Sequence, residues 1–359
     1  MDKTLSIIIP TYNERDNINP LVKKISNALS GYNYEIVFID DNSQDGTAEL
    51  ASALSAEYPV RVIVRKNERG LASAVVEGFK QSKGEILAVM DADLQHPPEV
   101  LPHLIQAIID GADIAIASRY VPGGAIPHWG MVRRIISKGA IILAHLALTS
   151  TGKVRDPMSG YFMLNRDVLN GANLRPTGYK ILLEVLIEGQ YQNIKEVPYT
   201  FGNRSSSESK MRMRQQVDYL MHLYSLMNRK GEIIRFLKFC AVGASGVLVN
   251  EGLLWILKHF AGLHLLLSSA ISIETSIISN FILNDYFTFR DRRLLGARPF
   301  VQRLYKFNAV SLAGLAINMG VLWLFTHVFG VYYLVSNLIG IAMATLWNYF
   351  INRSWTWKV

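Results

Sequence analysis

One pattern occurs twice in the second half of this chain, and it restricts the possible folds more than any other feature. Residues 235–291 align with residues 303–359, an offset of 68, without a gap. Arg235, Lys238, Phe239, Asn250, Trp255, Gly262, Asn280 and Asn284 recur as Arg303, Lys306, Phe307, Asn318, Trp323, Gly330, Asn348 and Asn352. About a third of the aligned positions are identical, beyond what unrelated apolar segments share. Each unit holds two apolar stretches of about 20 residues, enough to cross roughly 30 Å of hydrocarbon. The predicted spans are 236–257, 267–288, 306–328 and 332–353. Two spans per unit give both units the same orientation, so the repeat is parallel.

Basic residues orient it. Arg229, Lys230, Arg235 and Lys238 precede the first span, and Arg290, Arg292, Arg293, Arg298, Arg303 and Lys306 separate the second from the third. The hairpin tips around Gly262 and Gly330 are nearly free of them. An excess of Lys and Arg marks the cytoplasmic side, which predicts a cytoplasmic N-terminal domain and two cytoplasmic termini. The same placement explains the net charge of +8 without nucleic acid as partner. Glu251 and Glu274 fall inside predicted spans. Carboxylates there are functional candidates, but neither recurs, and helix-to-helix hydrogen bonding accounts for the repeated asparagines. Cys240 is the single cysteine and lies in an apolar run, which excludes an intramolecular disulfide and a thiolate metal site. The N-terminus enters a strand directly, and no cleaved signal peptide is apparent.

The first two hundred residues have a different texture. Strands are expected at Leu5–Pro10, Tyr34–Asp40, Val60–Val64, Ile86–Met90 and Ile114–Ala117, with helical spacing over Asn17–Leu29 and Gly70–Gln81 and a helix starting near Glu99. Thr47 is placed to cap the helix after the second strand. This alternation predicts a mostly parallel, Rossmann-like α/β sheet with helices on both faces. Ligands bind such sheets beyond the carboxyl ends of the strands. Tyr12, Glu14, Asp41, Asp91, Asp93 and Arg119 all fall there. No G-x-G-x-x-G follows the first strand and no Walker loop is present, so a diphosphate would have to be held through a metal.

Asp91 and Asp93 carry that argument. They follow the fourth strand at spacing i, i+2, which turns both carboxylates the same way in extended backbone. Two hard oxygen ligands suit a divalent cation that keeps waters and binds a substrate diphosphate, and Gln95 could add a third oxygen. The alternative is a pair of solvated turn aspartates. Further on, Met131–Leu148 is amphipathic at its start and apolar later, and its apolar part is too short to span a bilayer. It reads as an interfacial helix that brings the site to the membrane, with Arg133 and Ser137 toward a lipid phosphate; an ordinary core helix is the alternative. Gln216–Asn228 is a second amphipathic candidate.

The runs I-I-I-P-T-Y-N-E, V-F-I-D-D-N-S-Q-D-G-T and M-D-A-D-L-Q-H-P-P-E together resemble the GT-A catalytic domain of family 2 glycosyltransferases, over roughly residues 5–210. Asp156–Phe162 (D-P-M-S-G-Y-F) and Val197–Lys210 are similar to the polyprenyl-phosphate sugar transferases within that family. The Q-x-x-R-W run of processive polysaccharide synthases is missing, which argues against polymerisation. The repeat resembles GtrA-type four-helix modules. The resemblance implies that Pro10, Tyr12, Glu14, Ile39 and Asp41 surround the donor's nucleoside. Asp91, Ala92, Asp93 and Gln95 would hold diphosphate and a metal, Mg²⁺ or Mn²⁺. Arg119, Arg204 and Lys210 would face phosphates, and Asp93 and Arg119 would be the catalytic pair.

The expected architecture is therefore a GT-A domain over residues 1–212, an amphipathic juxtamembrane segment over 213–234 and an all-α transmembrane domain over 235–359. The activity the resemblance implies is inverting transfer of mannose from GDP-mannose to dolichyl or another polyprenyl phosphate at the lipid bilayer. UDP-glucose as donor remains an alternative within the class, and a flippase role for the membrane half stands outside it.

Overall fold

The structure is a computed structural model that describes residues 3–127, 129–175, 178–202 and 213–358. It divides into two compact units, Met1–Met227 and Asn228–Val359.

The first unit is a seven-stranded sheet between helical layers. In chain order its elements are β1 (Leu5–Thr11), α1 (Arg15–Ala28), β2 (Tyr34–Asp40), α2 (Thr47–Ala53), β3 (Val60–Val64), α3 (Leu71–Gln81), β4 (Ile86–Val89), α4 (Leu101–Ile109), β5 (Ile114–Ser118), α5 (Met131–Ala147), β6 (Phe162–Asn165), α6 (Ile181–Glu188), β7 (Ile194–Pro198) and α7 (Met213–Arg229). The sheet order is β3-β2-β1-β4-β6-β5-β7. Strands β1 to β4 are mutually parallel, and β7 is parallel to β5. β6 runs antiparallel between β4 and β5. It enters the sheet from the end at which β4 and β5 leave it, so the loop before it meets the carboxyl ends of both.

Alternation along the strands builds two cores. Ile7 and Ile9 of β1 and Ile36 and Phe38 of β2 face α1, α2 and α4. Ile8, Val37 and Ile39 face α3 and α6. Burial on both faces is why these strands read as continuous apolar runs. α3 rides directly on β1: a Cβ on Gly78 would lie 2.3 Å from Ile8 Cγ2. The expected cap differs in detail. Gly46, left-handed at φ 87°, precedes α2. Asp45 accepts from the Thr47 amide at 3.0 Å, while the Thr47 hydroxyl accepts from the Glu14 amide at 3.0 Å. Thr47 ties α2 to the β1–α1 loop and leaves the capping to Asp45.

The second unit is helical, with α8 (Glu232–His259), α9 (Leu265–Leu283), α10 (Ala297–Trp323) and α11 (Tyr333–Ile351). All four are long and apolar enough to cross a membrane. They start earlier or run on further than the predicted spans, because polar and aromatic turns extend them. The turns after α9 and α11, Asn284–Thr288 and Asn352–Thr356, are both π-helical and occupy matching positions of the repeat. Repeated asparagines sit where helices touch. A Cβ on Gly246 would meet Asn280 Nδ2 at 2.2 Å, and one on Gly314 would meet Asn348 Oδ1 at 2.5 Å. Small residues let the helices close on these amides. Glu251 accepts from Asn250 at 3.1 Å, and Glu274 accepts from Asn308 of α10.

One end of this unit is held by charge. Asp285 and Arg353 occupy the same place in the two repeats but carry opposite signs. Asp285 accepts from Arg303 at 2.8 and 3.2 Å and from the Trp357 indole at 2.8 Å. Arg353 pairs with Glu232 at 3.1 Å, which also meets Arg235 at 2.6 Å and Arg292 at 3.2 Å. Removing one member of a buried pair costs about 3–5 kcal/mol. Glu232→Ala strips three arginines of a shared carboxylate, and it should lower the thermal midpoint of the full chain in detergent by several degrees, while Glu251→Ala changes it little.

Candidate active site

The carboxyl ends of β1, β2 and β4 open into a cavity of about 200 Å³. Pro10, Tyr12, Glu14, Asp41, Asp91, Ala92 and Asp93 line it. Seven residues expected from sequence are thus brought together from three segments. The Tyr12 ring is half exposed, with the Arg69 guanidinium 5.0 Å from its centroid. Asp41 is buried and engaged: it accepts from Arg65 Nε at 2.7 Å and from the Gly70 amide at 2.8 Å. Arg65 also donates to Ser73 Oγ and to the Gly70 carbonyl, both at 3.0 Å. The pair therefore pins the loop between β3 and α3 to the cavity edge. Arg65 stands in a polar run with no recognisable spacing, and nothing in the sequence singles it out.

Two expected residues lie elsewhere. The Ile39 side chain is fully buried on the α3 face of the sheet and does not line the cavity, because alternation sends it into the core. Gln95 turns toward another loop and donates Nε2 to the Gly202 carbonyl at 3.2 Å, while the Gly202 amide donates back to the Gln95 carbonyl at 3.0 Å. It too is missing from the cavity lining. Arg204 and Lys210 lie outside the described residues.

The backbone around the two aspartates is held from behind. The Asp91 amide donates to His96 Nδ1 at 2.9 Å. His96 is buried and stacks on Tyr161, ring centroids 5.1 Å apart. Burial depresses its pKa to about 4, against a weaker upward pull from Asp93, so the ring stays neutral and its Nδ1 stays an acceptor. Asp93 Oδ1 accepts from the Gln95 amide at 3.1 Å, and Leu94 between them takes a left-handed φ of 61°. That conformation costs a non-glycine residue about 1–3 kcal/mol and turns the chain sharply after Asp93. Gly160 leaves room opposite: a Cβ there would lie 3.5 Å from Asp91 Oδ2. Asp91 is about a third exposed and Asp93 is buried. Two carboxylates at the rim of an open cavity fit a hard divalent cation whose remaining ligands are water and substrate phosphate. Among the described residues no cluster of three or more His, Cys, Asp or Glu is set to hold a metal, so Asp91 and Asp93 would supply only part of that cation's shell.

A second cavity, of about 390 Å³, lies between α5, α7 and the Tyr179–Lys180 turn that leads into α6. Its floor is cationic and its walls are apolar. Arg119, Arg133, Ser137 and Lys180 line it with Trp129, Ile136, Leu143, Met158 and Leu220. The Arg119 guanidinium grips Asp156: Nε to Oδ2 at 2.8 Å, Nη2 to Oδ1 at 2.8 Å, and its backbone amide to Oδ2 at 3.0 Å. Burial works against its charge, but this carboxylate raises its pKa overall. Arg133 stacks on Trp129 at 4.0 Å, and Ser137 Oγ accepts from the Tyr120 hydroxyl at 2.9 Å. Lys180, Trp129 and Asp156 were not among the expected site residues. Asp156 had a signal, since it opens the D-P-M-S-G-Y-F run. Lys180 had none, because its place depends on how α6 meets β6.

The helix from Met131 buries one apolar face and leaves another exposed. Ile141, Ala144 and Ala147 are buried against Tyr219, Leu223 and Leu226 of α7. Met131, Val132, Ile135 and Ile142 remain exposed, as do Leu220, Met221 and Tyr224 on α7. The Tyr219 hydroxyl donates to the Ala140 carbonyl at 2.7 Å, and His222 meets Glu184 of α6 at 3.0 Å.

Residues 6–171 match the family described as glycosyl transferase family 2, and residues 238–357 match the GtrA/DPMS transmembrane domain. A dolichol-phosphate mannosyltransferase of Pyrococcus furiosus is 48% identical over 353 residues, covering 98% of this chain and 99% of the relative. A protein of the same name from Saccharomyces cerevisiae is 41% identical over 254 residues, 66% of this chain and 93% of its own length. A polyprenol monophosphomannose synthase of Mycolicibacterium smegmatis is 38% identical over 216 residues, 57% of this chain and 80% of its own. Among solved structures, glucosyl-3-phosphoglycerate synthase from Mycobacterium tuberculosis, in complex with Mn²⁺, UDP-glucose and phosphoglyceric acid, aligns with a TM-score of 0.50 at 21% identity, over 63% of this chain and 80% of that one. That likeness bears on the fold.

The neutral His96 makes stability depend on acid. Its ring titrates at 6.5 when unfolded and at about 4 when folded. Below pH 6.5 the unfolded chain binds a proton that the folded chain refuses. This contribution is complete above pH 6.5 and is lost as pH falls toward 4, on the order of 3 kcal/mol. Thermal midpoints recorded from pH 7 to 4.5 should fall more steeply for the wild type than for His96→Asn, whose amide oxygen can still accept from Asp91.

Proposed function

The chain belongs to glycosyl transferase family 2 and carries a GtrA/DPMS transmembrane domain, and we propose that it transfers mannose from GDP-mannose to dolichyl or a related polyprenyl phosphate, with inversion at the anomeric carbon. The observation that carries this reading is the pair of cavities. One is acidic and polar at the strand ends; the other has a cationic floor and apolar walls. A nucleotide sugar suits the first and a lipid phosphate the second. The names of the relatives at 38–48% identity support mannose as the sugar.

In this reading Tyr12 and Glu14 flank the nucleoside, and Asp41 acts on it through the Arg65 loop. Asp91 and Asp93 would hold Mg²⁺ or Mn²⁺, which neutralises charge on the departing diphosphate. Arg204 and Lys210 would face the phosphates from the segment after Gly202. The acceptor phosphate, with a second pKa near about 6, is already ionised at neutral pH. It needs no general base, only a fixed position and charge compensation. Asp156 orients Arg119 for this, and Arg133 is set by its stack on Trp129. An acceptor oxygen that attacks from the side opposite the diphosphate inverts the sugar carbon. The exposed apolar faces of α5 and α7 would rest in the headgroup region of the cytoplasmic leaflet, so that the prenyl chain enters the second cavity without crossing water.

Purified full-length protein with Mn²⁺, a polyprenyl phosphate and labelled GDP-mannose should form a lipid-linked mannose, and UDP-glucose should be the poorer donor. Asp93→Ala and chelation by EDTA should each nearly abolish transfer; transfer at the ordinary rate in EDTA would remove the metal from the mechanism. Losing a charged hydrogen bond costs about 1.5–3 kcal/mol. Arg133→Ala should accordingly raise the KM for polyprenyl phosphate roughly ten- to a hundredfold, with donor affinity by calorimetry nearly unchanged.

A further inference from the structure

The cations on the floor of the second cavity are not equivalent. Arg119 is already one half of an ion pair, with two of its three guanidinium nitrogens on Asp156. Arg133 has its guanidinium carbon 4.0 Å from the centroid of the Trp129 ring. Lys180 is placed differently from both. It sits at the N-terminal boundary of α6, where the helix dipole disfavours a cation. Its ammonium donates to the Met158 carbonyl at 3.0 Å, and among the described residues no carboxylate pairs with it. Its Nζ also lies 4.7 Å from the centroid of the Tyr179 ring, another lining residue, and of the three N–H donors of an ammonium only one has a carbonyl acceptor.

Such a placement works against the stability of the fold. Taking a charge out of water without a carboxylate partner is costly, one carbonyl and one aromatic face offset only part of that cost, and the helix end adds to it. The surroundings register it. Burial, and next the Arg119 charge, lower the Lys180 pKa to about 8, with Asp156 and Asp91 pulling the other way. Lys180 shares the lining of the second cavity with Arg119 and Arg133. An anion arriving from the lipid side would relieve both costs at once.

We infer that Lys180 binds the acceptor phosphate directly, completing the cationic floor with an ammonium that no carboxylate among the described residues neutralises. The inference rests on the reading that the second cavity takes a polyprenyl phosphate. It adds a residue to that site and gives the cations separate tasks. Arg119 is fixed in place by Asp156, Arg133 closes the rim, and Lys180 supplies the charge that the incoming dianion is not forced to share.

The test uses full-length protein in detergent and compares a polyprenyl phosphate with the unphosphorylated polyprenol of the same length. Wild type should bind the phosphate at least tenfold more tightly than the alcohol. Lys180→Met should lose most of that preference, keep its affinity for the alcohol and for GDP-mannose, and show a KM for polyprenyl phosphate raised roughly ten- to a hundredfold. Lys180→Arg, which keeps the charge, should recover part of the preference, and it serves as the variant to compare if Lys180→Met does not fold. An unchanged preference for phosphate in Lys180→Met overturns the inference. So does a loss confined to GDP-mannose affinity, which would assign Lys180 to the donor diphosphate. A wild type that fails to prefer the phosphate removes the reading of the cavity itself, and that result appears before any variant is measured.

Discussion

A carboxylate with no exposure to solvent, Asp156, decides where positive charge stands in the catalytic unit. It takes three hydrogen bonds from Arg119 at the end of β5. Its own amide donates to Glu196 of β7 at 3.0 Å, as the Arg155 amide does at 2.8 Å. One residue thus ties β5, β7 and the cavity floor together. A buried guanidinium without this partner would be an uncompensated charge; with it, Arg119 becomes a fixed feature around which Trp129, Tyr120 and Phe201 stand.

The antiparallel strand is what makes two cavities possible. In a wholly parallel sheet all loops at one end serve a single crevice. β6 runs the other way between β4 and β5, so the segment that precedes it, Asp156–Tyr161, lies beside the ends of both. Gly160 then faces Asp91 while Asp156 faces Arg119. The hydroxyl of Ser159 donates to the Ala117 carbonyl of β5 at 2.7 Å, and that of Tyr161 to the Pro97 carbonyl at 3.0 Å. A single short loop is braced against the metal-ligand candidates on one side and the cationic floor on the other.

The membrane unit shows what a repeat keeps and what it changes. Kept are the glycine and asparagine pairs where helices touch, Gly246 with Asn280 and Gly314 with Asn348. Changed is the sign at one position, Asp285 against Arg353. With identical charges there, the two halves would repel at that end. With opposite charges, Asp285 receives Arg303 and Arg353 reaches Glu232. Phe289 and Trp357, also matched in the repeat, stack 4.4 Å apart between these pairs.

Much of this was legible in the sequence, and for definite reasons. Strands buried on both faces announce themselves as apolar runs, so β1 to β5 stand within a residue or two of where they were expected. Apolar length alone marks the four membrane helices. Tyr12, Glu14, Asp41, Asp91 and Asp93 were readable because ligands in such sheets gather at strand carboxyl ends, and that rule needs only strand order along the chain. What the sequence by itself did not determine depends on contacts between distant segments. β6 is a run of four residues, too short for its period to be read, and β7 is half polar, so pairing, not pattern, makes them strands. Ile39 was expected at the donor from the resemblance, yet alternation sends its side chain into the core, while Gln95 is drawn off by Gly202, 107 residues away. Lys180 and Trp129 join Arg119 and Arg133 only after β6 and α6 have folded back past β5. Local chemistry fixes which residues are able to act; only the tertiary packing decides which of them share a cavity.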